Sequence, residues 1–486
     1  MKIVVLESKK FRYCATRFSR CVDHFETITS PRESAAAYMN GIYDACKRHG
    51  ATHFLPVAAP VEAVFDAQVK ERLEKDMDVS VLHMDHKLCE ILDDKHAFGC
   101  FLRDQLKLRS PRTHQVTNNE EVHSFNENFR KETEEGKLKR KMILKNLAYD
   151  PIHRLDLFQL PTTKENLDAY LRKIEADGNP ISKEEPWQLQ EFLSGGVEYA
   201  AMIVVRSNHL VTMTCCPSSA SQLNYVHSEI PPIREWLFSF MEGLKNSQFE
   251  LTGQLCFDFM VVKENGKEVA YPIECNPRVH TQCTIYNRDD VRALFGSLLL
   301  NHTSNDEQKL IELLDRDYGT QHGTNVNIFW FYNEFFKIFP NSWLLTYNES
   351  NDSTVRAKMA MQPMKLPSLR VLLVFILYLP SLYIMSHLAI PVFVCLALTW
   401  TEGRTNSDLG FFAHLKVMIT KSIDFFERLS NLHENLEGDL WLKDPVPFFA
   451  KNHVQVPSRL LASLRTGVEW KKIDFAIGKV VEVGGD

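Results

Sequence analysis

The sequence has no Cys-x-x-Cys pair, no basic excess and no internal repeat. Without cysteines at metal-ligand spacing there is no zinc knuckle, and the adjacent Cys215-Cys216 suits neither such a site nor an ordinary disulfide. The 11 scattered cysteines read as reduced thiols of a cytosolic protein. The chain carries 56 Lys and Arg against 62 Asp and Glu, a formal net charge of −6. That balance excludes the basic footprint of a nucleic-acid-binding surface. Met1 to Lys10 offers only the short apolar run Ile3-Val4-Val5-Leu6 before charge sets in, so a secretory signal peptide is not expected.

What remains is an ordinary globular balance, 44% apolar and 24% charged over 486 residues. That length predicts two to four domains with sizeable cores. Residues 1 to 88 alternate strand-like and helix-like runs: Ile3 to Leu6, a helix from Ser34 to His49, His53 to Val57, a helix from Ala63 to Lys75, then Val79 to His83. Such alternation predicts a parallel α/β unit. From Asp93 onward the pattern becomes α+β. A helix is expected over His96 to Gln105, a strand at Met142 to Lys145, and a helix over Thr163 to Ala176 capped by Thr162 or Thr163. Trp187 to Phe192, Tyr199 to Val205, Leu210 to Cys216, Gly253 to Val262 and Val269 to Cys275 read as strands. Asn265-Gly266 marks a tight hairpin between the last two. Asn118 to Lys141 is rich in charge and reads as a surface connection, ending in the basic run Lys137, Lys139, Arg140, Lys141.

One segment stands apart. Between Arg370 and Glu402 there are roughly 30 residues without formal charge, more than the ~20 a bilayer-spanning helix needs. Two prolines within it would kink such a helix without forbidding it. Leu366 to Trp400 is therefore expected either to be membrane-embedded or to form a buried helical hairpin or an insertion outside the working enzyme.

The polar residues fall in an informative order. Lys95 opens a helix after Asp93-Asp94, and Lys145 ends an apolar strand, where it presents a point charge. Gln190-Glu191-Phe192-Leu193 closes a strand and can offer main-chain groups to adenine, with Glu198 beyond it for ribose hydroxyls. Asp258 lies on an alternating strand. Period two places Glu274 and Asn276 on one face of the next strand, and the Asn-Gly hairpin returns that face beside Asp258. Two carboxylates and an amide oxygen suit hard Mg²⁺, with Mn²⁺ as the alternative ion. Arg278 can then reach a transferring phosphoryl group bidentately. Taken singly, each lysine reads as a surface residue and the Gln190 segment as a plain strand and turn. The set from Asp258 to Arg278 is the most specific signal.

This order resembles the ATP-grasp superfamily. The resemblance implies an ATP-grasp fold behind a Rossmann-like α/β domain, with a helical C-terminal region. It also implies that Lys95 and Lys145 bind phosphates, that Gln190, Glu191 and Leu193 contact adenine, that Glu198 binds ribose, and that Asp258, Glu274 and Asn276 hold Mg²⁺. Arg278 is the implied catalytic residue, and His280 is a candidate for accepting a proton. Many members carry a glycine-rich loop after the second lysine. Here that stretch reads Asn146-Leu147-Ala148-Tyr149-Asp150 and continues to Arg154-Leu155-Asp156-Leu157. Those pieces resemble the mycosporine-glycine synthase group, as do Arg17-Phe18-Ser19-Arg20 and Asp444-Pro445-Val446-Pro447-Phe448-Phe449. The resemblance implies ATP-dependent joining of glycine to 4-deoxygadusol through an enol phosphate. Other readings are a ligase joining a carboxylate to an amino acid and a non-catalytic nucleotide-binding protein. The expected layout is an α/β domain over 1–88, truncated relative to the family, and an ATP-grasp domain over 89–300. A helical connection over 301–362, an apolar insertion over 363–410 and a helical region over 411–486 follow. Small-molecule substrates are the expected partners. The sequence carries no signal for oligomeric state.

Overall fold

The structure, a computed structural model, describes residues 2–57, 63–147, 157–218, 224–286, 327–330, 416, 419–420, 423, 435–437, 444–467, 470–474 and 479–482. The Tyr149 to Asp156 motif and the apolar run Leu366 to Trp400 lie outside them. Among the described residues no helix is long and apolar enough to cross a membrane. The described cysteines are all free.

Contacts divide the chain into two units. One gathers Met1–Ser30, Ser219–His227 and Thr324–Asp486; the other gathers Pro31–Ser218 and Ser228–Gly323. The first opens with parallel strands β1 (Val4–Ser8) and β2 (His24–Ile28). The reading from sequence had missed β2.

The second unit begins with α1 (Ala35–His49). Ser34 caps it by accepting from the Ala37 N–H, and Gly50 closes it in the left-handed conformation at φ 59°. Strands β3 (His53–Phe54) and β4 (Ser80–Val81), on either side of α2 (Ala63–Met77), pair in parallel as expected. Then come α3 (His86–Asp93) and α4 (Lys95–Cys100), whose start is capped by the Asp94 carboxylate.

Next, β5 (Thr113–Val116) is followed by α5 (Asn119–Glu134). This corrects the expectation of a surface connection over Asn118 to Lys141. Asn118 accepts from Glu121 N, Glu120 and Glu121 occupy the positive helix start, and Val122, Asn126 and Phe129 form a buried stripe at helical spacing. The abundant charge is the solvated face of an amphipathic helix. Strands β6 (Met142–Asn146) and β7 (Phe158–Leu160), α6 (Lys164–Ala176, capped by Thr163) and β8 (Trp187–Glu191) follow. These strands form an antiparallel sheet in the order β5-β8-β6-β7. Its core joins Phe129 and Leu167 of the helices to Leu144, Trp187 and Leu189 of the strands.

A second antiparallel sheet comprises β9 (Val197–Arg206), β10 (His209–Pro217) and, after β11 (Asn224–Tyr225) and α7 (Pro231–Lys245), β12 (Gly253–Glu264) and β13 (Lys267–Asn276). The order is β10-β9-β12-β13. Asn265 (φ 49°) and Gly266 (φ 80°) form the hairpin turn. Leu255, Phe257, Phe259 and Cys275 point into the core with α3, α4 and α7. Phe257 packs against Phe98, Trp236 and Phe240, so truncating it to Ala would cost about 3–5 kcal/mol. That packing commits the alternate residues of β12 and β13 to the opposite face.

The first unit is completed by β14 (Asn327–Phe329), β15 (Asn435–Glu437), helices α8 (Val446–Ala450) and α9 (Val456–Thr466), and the β16–β17 hairpin (Trp470–Asp474, Lys479–Glu482). Within 301–362, expected to be a helical connection, the described residues form β14, which joins β11 and β15. Two distant motifs meet here. Asp444 accepts from Ser19 Oγ at 2.6 Å and from Arg20 N at 3.0 Å.

His83 is 3% exposed, and its Nε2–H donates to the Ala63 carbonyl at 2.7 Å. Burial first, and Lys70 nearby, push its pKa down to about 4 despite that bond. Its folded pKa lies below the unfolded value, so the unfolded chain binds the proton more readily. The contribution is full above the unfolded pKa and is lost as pH falls toward about 4. We expect His83 alone to cost roughly 2 kcal/mol of stability near pH 5 relative to pH 8. Urea midpoints should show this loss shrinking in His83→Gln; an unchanged loss would remove the assignment.

Candidate functional site

The bond pattern of β12 and β13 places Asp258 directly opposite Glu274, and Cys256 opposite Asn276. A bulge follows Asp258, so the register slips only beyond the pair. Asn276 Nδ2 donates to Asp258 Oδ2 at 3.2 Å, and Arg278 Nη2 donates to Asn276 Oδ1 at 2.6 Å. Lys95, from the start of α4, reaches Glu274 Oε2 at 3.3 Å. Arg278 also faces Asp93 at 3.7 Å.

The two carboxyls cannot both be charged at low cost. Burial, and then the charge of Glu274 beside it, push Asp258 well above the usual carboxylate range. At Glu274 burial acts upward too. The Lys95 ammonium, a hydrogen bond from Asp258 and the Lys145 charge outweigh it and hold Glu274 below that range. Between the two, a proton is favoured on Asp258 and the negative charge on Glu274.

Lys145 comes from the other sheet. Its Nζ donates to Gln190 Oε1 at 2.9 Å, while Gln190 Nε2 donates to the Ile273 carbonyl at 3.3 Å. Gln190 therefore ties the strand lysine to the residue before Glu274. Burial lowers the Lys145 pKa, while the Glu274 charge opposes the shift. The turn after β8 needs its glycines for different reasons. Gly195 has φ 75°, and a Cβ on Gly196 would lie 2.8 Å from Met260 and Val262 side-chain atoms. Leu193 is buried beside this turn. Glu198 is exposed, and its Oε1 accepts from Ser218 Oγ at 2.9 Å.

Glu191 faces elsewhere. Its carboxylate accepts from Arg140 at 3.0 Å and from the Arg112 N–H at 3.2 Å. Arg140 also reaches Glu264 at 2.6 Å, where the Tyr271 hydroxyl donates at the same distance. The basic run ahead of β6 thus supplies a clamp between the two sheets, and the Glu191 side chain is committed to it.

The sequence reading overlooked Gln282. The turn Thr281–Ile285 lies against the face of the second sheet that carries Cys256 and Asp258, where the Cys256 thiol donates to Gln282 Oε1. Gln282 is fully buried there, and its Nε2 donates to the Ala200 and Thr214 carbonyls at 3.2 and 2.9 Å. No periodicity announces such a residue. Its proximity to Arg278 in sequence was the available hint. His280 starts this turn, with Nδ1 accepting from Gln282 N at 3.3 Å. Burial and the Arg278 charge push its pKa down to about 4, so it is neutral near pH 7.

The chain matches no protein-family model and no curated protein. Among solved structures it is similar to an L-amino acid ligase from Bacillus licheniformis at 12% identity and TM-score 0.38, covering 57% of this chain and 67% of that one. A biotin carboxylase from Campylobacter jejuni is similar at 13% identity and TM-score 0.44, covering 67% of each chain. An N5-carboxyaminoimidazole synthetase from Staphylococcus aureus, complexed with ADP, is similar at 13% identity and TM-score 0.41, covering 67% of this chain and 72% of that one.

Gln282→Leu leaves the Ala200 and Thr214 carbonyls without this donor in a buried place. We expect a loss of about 2 kcal/mol in urea unfolding; an unchanged midpoint would show that water replaces the amide.

Proposed function

We propose that this chain is an ATP-dependent ligase of the ATP-grasp type that forms a carbon–nitrogen bond, with Mg²⁺ as its metal ion. One observation carries the reading. Asp258 and Glu274 sit side by side, joined through Asn276 to Arg278 and through Glu274 to Lys95. The donor set fits a hard divalent cation, because burial and mutual repulsion disfavour two negative charges that a cation would neutralise. Asp258 and Glu274 would hold the ion, and the Asn276 amide oxygen would join them once it gives up its bond from Arg278. When bound, Mg²⁺ would supply charge neutralisation at the phosphate oxygens.

The chain's own groups then position and stabilise. Lys95 and Lys145 bring ammonium groups toward the same carboxylate from different elements, which suits the phosphates of ATP. Gln190 holds Lys145 until a phosphate competes for it. Main-chain groups of Glu191 and Leu193 would meet adenine, and the exposed Glu198 would accept from ribose hydroxyls. Arg278 has a planar fork for the transferring phosphoryl group. No covalent enzyme nucleophile is required. His280, neutral near pH 7 and already hydrogen-bonded, is a weak acceptor for the amine proton.

The finer reading rests on the sequence resemblance. The acceptor is 4-deoxygadusol, an enolised 1,3-dione that behaves as a vinylogous carboxylate. Its enol oxygen attacks the γ-phosphorus and ADP leaves. The glycine amine then adds to the carbon bearing the phosphate, phosphate departs and the amine proton is lost, giving mycosporine-glycine.

Phosphate release from ATP should rise only when 4-deoxygadusol and glycine are both present. Absence of any substrate-stimulated release from well-folded, full-length protein would sink the ligase reading. Stimulation by a carboxylate and an amino acid instead would move the acceptor class. Glu274→Ala should lower release by about 10²–10³-fold.

Asp258→Asn separates metal binding from folding. Burial and the Glu274 charge favour the protonated form of Asp258 in the metal-free protein, so the neutral variant should be at least as stable as the wild type. It should lose the stabilisation by Mg²⁺ and ATP, which reaches ~2.7 kcal/mol at a hundredfold excess over Kd. Thermal unfolding with and without Mg²⁺–ATP measures both, and retained ligand stabilisation would remove Asp258 from the metal set.

A further inference from the structure

Gln188 sits within β8, between β5 and β6, and is 0% exposed. Its Oε1 and Nε2 are both buried, and neither has a hydrogen-bond partner. A primary amide has an acceptor and two donors to satisfy, and burying it unpaired costs stability. Such a group in a native structure calls for an explanation.

Its surroundings follow from the strand register. Gln115 lies opposite it on β5, and Lys145 lies opposite it on β6. Directly opposed residues share one face of a sheet, so Gln188 lies on the face of Lys145 and Gln190. The alternate residues Trp187 and Leu189 pack into the apolar core with Val116 and Leu144. Gln188 is therefore a residue of the polar face, sealed from water without a partner. Gln115 on the same row is exposed and has water for its amide.

Lys145 is the informative neighbour. Directly opposed residues have Cβ atoms ~5 Å apart, and diagonal ones are ~7–8 Å apart. The Lys145 ammonium nevertheless bypasses Gln188 and donates to the diagonal residue, Gln190, at 2.9 Å. Rotation of its own side chain is enough to bring a donor to Gln188 Oε1. That contact satisfies only the acceptor. An ammonium brings no acceptor for Nε2. A phosphate oxygen resting on that ammonium brings one.

We propose that Gln188 is a further nucleotide-binding residue: with nucleotide bound, its Oε1 accepts from Lys145 and its Nε2 donates to a phosphate oxygen. The unpaired amide then burdens the empty protein and is relieved on binding, which favours the bound state. The proposal rests on the nucleotide reading of the Lys145 face and adds to it a residue that the order of polar motifs does not single out.

Two measurements on the full-length chain test it, using wild type and the volume-conserving variant Gln188→Met. Titration calorimetry with Mg²⁺–ATP should show binding weakened about tenfold in the variant. Urea unfolding without nucleotide should show a midpoint unchanged or raised, since no internal bond is lost. A residue with a purely structural role would give the reverse, a lowered midpoint with affinity retained. Inorganic tripolyphosphate, as a competitor of ATP, should lose strength by the same factor. Competition equal in both proteins, or absent from both, would make the amide a reader of the base and overturn the proposal. Full retention of ATP affinity, or a lowered midpoint, would overturn it alone. No binding of Mg²⁺–ATP by the wild type would overturn the nucleotide reading and this proposal together.

Discussion

The arrangement of this site follows from one constraint: two carboxyls held side by side on neighbouring strands. Asp258 and Glu274 are brought together by the β12–β13 register. Their mutual repulsion must be offset, and the surrounding elements supply the means. Lys95 comes from the start of α4, Arg278 from beyond β13, and Lys145 from the other sheet. Burial and the Glu274 charge still raise Asp258 above the usual carboxylate range.

The core makes the constraint tolerable. Phe257 and Cys275 hold one face of the hairpin against α3, α4 and α7. A slip of one residue would expose them and turn Asp258 inward, at a cost of several kcal/mol in lost burial. The same packing that stabilises the sheet therefore maintains the carboxyl pair. The two sheets are joined twice near the site. Gln190 bridges Lys145 and Ile273, and Arg140 bridges Glu191 and Glu264. Adjacent residues of β8 thus serve opposite faces, Gln190 toward Lys145 and Glu191 toward Arg140.

Much of this was legible where the signal is local. Ser34 and Thr163 announce helix starts because their hydroxyls satisfy free N–H groups, and both do so here. Asn265-Gly266 announces a hairpin because both residues tolerate positive φ. The alternation around Asp258 put Glu274 and Asn276 on its face, as the register bears out. The stretch from Asn118 to Lys141 failed for a definable reason. Its charge count hid the stripe Val122, Asn126, Phe129, and a helix needs only a narrow buried stripe. Strand β2 failed because His24 and Glu26 break up its apolar pattern, and parallel pairing with β1 holds it.

By itself the sequence determined the elements, the period of their faces and the order of the polar residues, since these depend on neighbours a few positions away. Only the tertiary structure decided which of those residues meet. It sent the Glu191 side chain away from Lys145, buried Gln282 beneath two carbonyls, and joined Ser19 to Asp444 across more than four hundred residues. Such pairings depend on sheet order and helix packing, which bring together groups whose separation along the chain carries no trace of their contact.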